Sequence, residues 1–181
     1  NTDFTLLKML EVPNINFQPY YAGWDRNISH GEGGVGIHHP QSLPKKISTY
    51  EIAPKLQSCQ HSYPANFYLI DEWIETEHGH GVTEKGSSGS PLFNNKHRII
   101  GQLYGGCSGH NANCNNPSND YSVYGKFYLS WDSGNSAATR LKDWLDPTNK
   151  NYMYIDGLST CDSSGIIDVS IHHSAEDDGV V

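Results

Sequence analysis

Apolar stretches in this chain are short, and each is soon stopped by glycine, proline or asparagine; that punctuation constrains the fold most. With 18 Gly, 9 Pro and 11 Tyr among 181 residues, the pattern favours short strands joined by many turns. Strands are expected over 3–10, 20–25, 34–40, 46–52, 66–73, 98–104 and 122–129. The period changes once. Ala137, Ala138, Leu141, Trp144 and Leu145 share one helical face, with Asn135 or Ser136 placed to cap and Pro147 just beyond. From Leu158 the chain turns polar and acidic (Glu176-Asp177-Asp178), as in a linker or the start of another module. No run approaches the roughly 18 apolar residues that cross a bilayer, so no membrane partner is expected. A formal net charge of −8 speaks against a nucleic-acid surface, which would be basic. The absence of an initiator Met and of a signal peptide fits a mature or truncated piece of something longer.

Within this β pattern one stretch carries chemistry: Gly86-Ser87-Ser88-Gly89-Ser90-Pro91, followed by the apolar strand Arg98 to Tyr104. A hydroxyl nucleophile needs an uncrowded turn whose own N–H groups converge on the oxygen that becomes negative during attack on a carbonyl. Glycines at Gly86 and Gly89 permit backbone angles that other residues resist. An ordinary Gly/Ser hairpin turn is the plain alternative.

Four cysteines, Cys59, Cys107, Cys114 and Cys161, lack zinc-ribbon or Cys-x-x-Cys spacing. Cys107 and Cys114 flank a short polar loop that a disulfide would close, which would imply an oxidising compartment. His78 and His80 have the spacing of one strand face, but no third metal ligand is evident and a solvated loop is the simpler account. His61 and His110 read as surface-loop residues, and Asn27-Ile28-Ser29 is a formal glycosylation site.

The order of these pieces resembles the chymotrypsin-like (trypsin-fold) serine proteases, and most closely the bacterial lysyl endopeptidases. The resemblance rests on Asn1-Thr2-Asp3-Phe4-Thr5-Leu6-Leu7, Tyr21 to Arg26, Gly36 to Pro40, Lys45 to Ser48, Gly81 to Pro91, Ile100 to Gly106 and Arg140 to Pro147, in family order over residues 1 to about 157. It implies an all-β, trypsin-like double β-barrel, mostly its second barrel, with a C-terminal α-helix. Residues 1–13 would end the first barrel, 14–157 would form the second barrel and helix, and 158–181 would be the acidic linker or the start of a following module. Ser88 would be the nucleophile, Asp3 the aspartate of the triad, and the N–H groups of Gly86 and Ser88 the oxyanion hole. Gln102 to Gly106 would offer an edge to an extended substrate, with Tyr104, Gly105 and Thr83 around the pocket.

Where trypsin carries its pocket acid, six residues before the nucleophile, this chain has Val82. By the resemblance the acid comes instead from the loop before Tyr124-Gly125, where Asp120 stands, and it would pair the ammonium of a substrate lysine; a turn aspartate is the alternative. Ser87 replaces the aspartate that holds the freed N-terminus in animal digestive enzymes, so that activation mechanism is not expected. The triad histidine precedes the aspartate by tens of residues in this family, which puts it before Asn1. His38 or His39 would give the order Asp, His, Ser, but adjacent strand residues point to opposite faces, so at most one could face any cleft. The expectation is therefore a secreted, cell-surface or periplasmic serine endopeptidase acting after Lys, or Arg, on peptide or protein substrates. It would need no cofactor, and this chain alone would be inactive without the histidine-bearing N-terminal half. The rival reading is a non-catalytic binding or adhesion domain on the same fold.

Overall fold

A computed structural model describes residues 2–29, 31–56, 59, 65–107 and 121–159. Asp120, Cys114, Cys161, His61, His110 and most of the expected linker lie outside them. The strands in chain order are β1 (Tyr20–Tyr21), β2 (Gly23–Asp25), β3 (Gly34–His38), β4 (Lys46–Tyr50), β5 (Phe67–Ile70), β6 (Glu75–Thr76), β7 (Gly79–His80), β8 (Pro91–Asn94), β9 (Arg98–Gly106), β10 (Ser122–Lys126), β11 (Tyr154–Ile155) and β12 (Leu158–Ser159). Among the described residues the α-helices are α1 (Phe127–Asp132) and α2 (Lys142–Leu145).

Eight strands make one sheet, built on β9. Its first residues pair in parallel with β2, its middle with β8, and its second half with β10. From there the sheet continues β8–β3–β4 on one side and β10–β5 on the other. The two end strands approach through a Lys55–Leu69 bridge, through Ile74 N–H donating to Thr49 C=O (2.9 Å), and through the edge-on rings of Tyr50 and Trp73. No ladder joins β4 to β5, so among the described residues the sheet does not close into the expected barrel. Beyond Tyr50 the chain meets Pro54, which has no N–H for a ladder. No strand forms over 3–10, expected as the end of the first barrel: among the described residues that stretch has no partner strand.

Alternation explains the core. Tyr50, Tyr68, Ile70, Leu92, Ile100, Leu103 and Tyr124 point inward around the indole of Trp73. Phe67, Leu69 and Val123 point outward from β5 and β10 onto a second apolar layer with Cys107. Both faces of β5 and β10 are thus covered, and both strands are buried throughout.

Two elements depart from the sequence pattern. The expected strand over 122–129 stops at Lys126, and α1 begins, because Phe127 and Trp131, four residues apart, pack on Trp24 of β2. The single expected helix over 136–145 is broken. A 3₁₀ turn, Ala137–Thr139, is followed by an extended Arg140 (φ −145°, ψ 156°), and only then by α2. Leu141 N–H donates to Ser130 C=O (2.9 Å) and its side chain joins the Trp24 cluster. Arg140 meanwhile bonds Asp143 (2.5 Å) and lies 3.7 Å from Asp132. Tertiary docking of Leu141 and Arg140 overrides the helical pattern of 136–145.

Cys107 pairs with Cys59 (Cα–Cα 5.8 Å), not with Cys114 as the short-loop argument expected. The sheet decides this, because Cys59 lies against the outer layer of Phe67, Leu69 and Val123, which Cys107 completes. At the C-terminal end, β11 pairs with β2 and β12 with β1, so Leu158 and Ser159 belong to the folded unit. Arg98 fastens this end: its guanidinium bonds Asp156 (2.7 Å) and lies over the Tyr154 ring (3.6 Å).

Candidate active site

The turn that carries Ser88 runs from β7 into β8, and its fixed points are backbone hydrogen bonds. Ser87 N–H donates to Glu84 C=O (3.1 Å), Ser90 N–H to Ser87 C=O (3.1 Å) and Gly89 N–H to Leu103 C=O (2.7 Å). Leu103 N–H returns a bond to Ser90 C=O (2.8 Å). The N–H groups of residues 87, 89 and 90 therefore hold the turn together. Those of Gly86 and Ser88 have no partner among the described residues.

The directions of those two N–H groups are set by their peptide planes. In a trans peptide the C=O and the following N–H point opposite ways. Lys85 C=O accepts from Gln41 N–H (2.6 Å), which directs Gly86 N–H away from Gln41. Ser87 C=O accepts from Ser90, which in the same way fixes Ser88 N–H. Positive φ at Gly86 (+94°) and Gly89 (+81°) is the backbone shape this needs. Ser88 itself is exposed, while Ser87 is buried. Beside Ser88 lies a mostly apolar recess of about 380 Å³, lined by Ile37, Lys45, Gly86, Pro91 and Phe93 among others.

The other expected site residues fall into three groups. Tyr104 sits at a bulge, since Tyr124 opposes Leu103 while Val123 opposes Gly105; it is exposed and packs on Phe67 (ring centroids 5.1 Å). A Cβ at Gly105 would meet nothing within 4 Å, so that position leaves open space. The open edge is shorter than expected, because Gln102 already pairs with Pro91 and Leu103 with the turn. Thr83 is buried, its hydroxyl 2.6 Å from that of Ser122, which accepts from the Trp73 indole N–H (2.9 Å). Thr83 thus lies beside the strand that begins two residues after Asp120. Asp3 is exposed, at φ +55°. Its neighbour Thr2 is buried, with its C=O accepting from Gln102 Nε2 (2.7 Å) and its hydroxyl bonded to that of Ser130 (2.7 Å). The chain at Thr2 is therefore one β9 residue away from Leu103, which holds the Ser88 turn.

The histidines resolve clearly. His38 is buried and both ring nitrogens are taken, Nδ1 by the Ser87 hydroxyl (2.9 Å) and Nε2 by that of Ser48 (3.0 Å). It is not placed as a base for Ser88. Its burial, and secondarily the nearby His39, hold its pKa below the ordinary histidine value. His39 is exposed and donates to Leu43 C=O (3.2 Å). His80 Nδ1 donates to Gly81 C=O (2.7 Å), and no cluster of three metal-ligating side chains occurs among the described residues. Sequence reasoning missed the role of His38 and Ser48. The signal was the His38-His39 alternation, which demands that one ring face inward.

The fold and site define a β-rich domain with an ordered Gly-Ser-Ser-Gly turn beside a buried sheet. A family model described as "Lysyl endopeptidase, C-terminal domain" matches residues 1–125. The chain belongs to this family, which makes its function protease-related.

Proposed function

We propose that this chain is the nucleophile-bearing part of a secreted serine endopeptidase that cleaves peptide bonds after lysine, or arginine. The observation that carries the reading is the turn, in which the two N–H groups left without partners flank the buried Ser87, one of them on Ser88 itself. In this reading those donors hold the carbonyl oxygen while Ser88 Oγ meets its carbon. Each such donor typically lowers the barrier by about 3–4 kcal/mol. Ser88 attacks the scissile carbonyl and a histidine takes its proton, then returns it to the leaving amine. Asp3 orients that histidine, and Asp120 pairs the substrate ammonium.

The histidine comes from a preceding half of the protease, and the surface of residues 6–17 supports this. Leu7 is 81% exposed, Leu10 100% and Phe17 81%, an apolar ribbon of the kind another folded unit covers. In that reading the sheet described here corresponds to the second barrel, and residues beyond 159 lead to a linker or further module. The Cys59–Cys107 disulfide suits secretion or a cell-surface or periplasmic setting.

The test uses the parent polypeptide, extended upstream to include the histidine, with peptide amides ending in Lys, Arg, Phe or Ala. Cleavage after Lys that disappears in Ser88→Ala, with covalent labelling of Ser88 by a lysyl phosphonate, is the expected result. Loss of the Lys preference in Asp120→Asn would establish the pocket. A folded parent that neither turns over nor is labelled would instead be a non-catalytic binding domain.

A further inference from the structure

The buried chain of side chains behind the turn fixes its own proton positions. Ser48 Oγ accepts from Val82 N–H (3.0 Å) and donates its one proton to Val82 C=O (3.0 Å). Val82 C=O has no other donor among the described residues, so a buried carbonyl keeps the Ser48 proton; toward His38 Nε2 the Ser48 oxygen is then an acceptor, and Nε2 carries the proton. In the neutral ring Nδ1 is then bare, and it accepts the hydroxyl proton of Ser87. The bonds run in one direction, from Ser87 through His38 and Ser48 to the Val82 carbonyl. His38 and Ser87 are 2% and 1% exposed, so water does not compete for these sites.

We propose that His38, as its Nε2–H tautomer, is a positioning residue that locks the nucleophile turn. The proposal rests on the serine-protease reading and adds to it a residue and a protonation state. Ser87 lies between the two N–H groups proposed to hold the oxyanion. Its own N–H and C=O are bonded within the turn, and only its side chain reaches back to the sheet. Gln41 N–H, three residues after His38, holds Lys85 C=O on the other side of Gly86. The end of β3 and the turn that follows it thus clamp the nucleophile turn on both sides of Gly86, once through a side chain and once through the backbone. Without the His38 bond, the peptide between Ser87 and Ser88 keeps only the bond from Ser90 N–H to Ser87 C=O (3.1 Å), and any rotation of that peptide removes a donor that matters only once the oxyanion forms.

In the parent polypeptide, His38→Ala is expected to lower kcat by about 10- to 100-fold, short of complete loss of a donor, with KM little changed. Ser87→Ala should behave alike, and the double variant no worse than either alone. His38→Gln, whose amide accepts at one end and donates at the other, should recover most of the rate. Long-range ¹H–¹⁵N correlation of the wild-type protein should show a protonated Nε2 and a bare Nδ1, a readout that needs no activity. His38→Ala with wild-type kcat in a folded, phosphonate-labelled protein overturns the proposal and leaves the protease reading standing. A protonated Nδ1 overturns the assigned bond direction and the proposal with it. A wild-type protein that is neither labelled nor active overturns the protease reading and, with it, the catalytic role given to His38.

Discussion

Replacing Gly86 by alanine separates the geometry of the turn from its mere presence. At φ +94° an L-residue carries strain on the order of 1–3 kcal/mol. The new Cβ would lie 3.2 Å from the His39 carbonyl oxygen and 3.4 Å from Gln41 N, both backbone atoms. The segment that fixes the Lys85–Gly86 peptide must then move by tenths of an ångström, and the 2.6 Å bond from Gln41 to Lys85 lengthens. Together these should cost about 2–3 kcal/mol of stability. If Gly86 N–H turns from its direction, kcat/KM falls by a further factor of about 10²–10³. Gly89→Ala is the control. Its φ is +81°, but nothing lies within 4 Å of the added Cβ, so strain acts there alone. Urea midpoints and kcat/KM of the parent polypeptide, read where both variants remain folded, should show Gly86→Ala losing rate far more steeply than stability predicts. Equal rate losses from the two substitutions, or wild-type kcat/KM in Gly86→Ala, would refute the reasoning.

Three further outcomes follow from features away from the turn. His38 has its folded pKa below the ordinary value of 6.5, so below that value the unfolded chain takes up a proton that the folded one resists; stability should fall as pH drops below about 6.5, less steeply in His38→Gln, as urea midpoints at pH 5 and 7 would show. Cys107→Ser opens a cross-link of sequence separation 48, which chain entropy values at about 4 kcal/mol, and its thermal midpoint should match that of the reduced wild-type protein. Lys126 is buried, donates to Leu56 C=O (2.6 Å) and Ala65 C=O (2.5 Å), and has its pKa lowered by burial; stability should therefore rise relative to Lys126→Met between pH 7 and 10, and a constant difference would exclude that charge as the cause.

Some of this was legible in the sequence because local chemistry decided it. The run over 34–38 ends at Pro40, the 98–104 run is rich in apolar residues after a turn, and both are strands. The Gly86 and Gly89 positions announced a turn with positive φ, and it is there. What failed did so for tertiary reasons. Phe127 looks like a strand aromatic until Trp24, far away in sequence, offers it and Trp131 a surface. Cys59 and Cys107 are distant along the chain, and only the outer face of β5 and β10 brings them together. The inward ring of His38 was foreseeable from alternation, but its bond to Ser87 depends on a turn 49 residues on.

The order β11–β2–β9 carries a consequence for how the chain is made. Strand β2 is held on one side by residues near position 98 and on the other by residues near position 155. As the polypeptide leaves the ribosome, the edge of β2 has no mate until β9 emerges, and none on its far side until β11 does. Long-range pairings of this kind are slow to form and leave strand edges bare while they wait. Assembly is therefore timed by the last described residues to be synthesised: the piece that Arg98 fastens through Asp156 and Tyr154 closes the sheet after translation has passed every residue of the nucleophile turn.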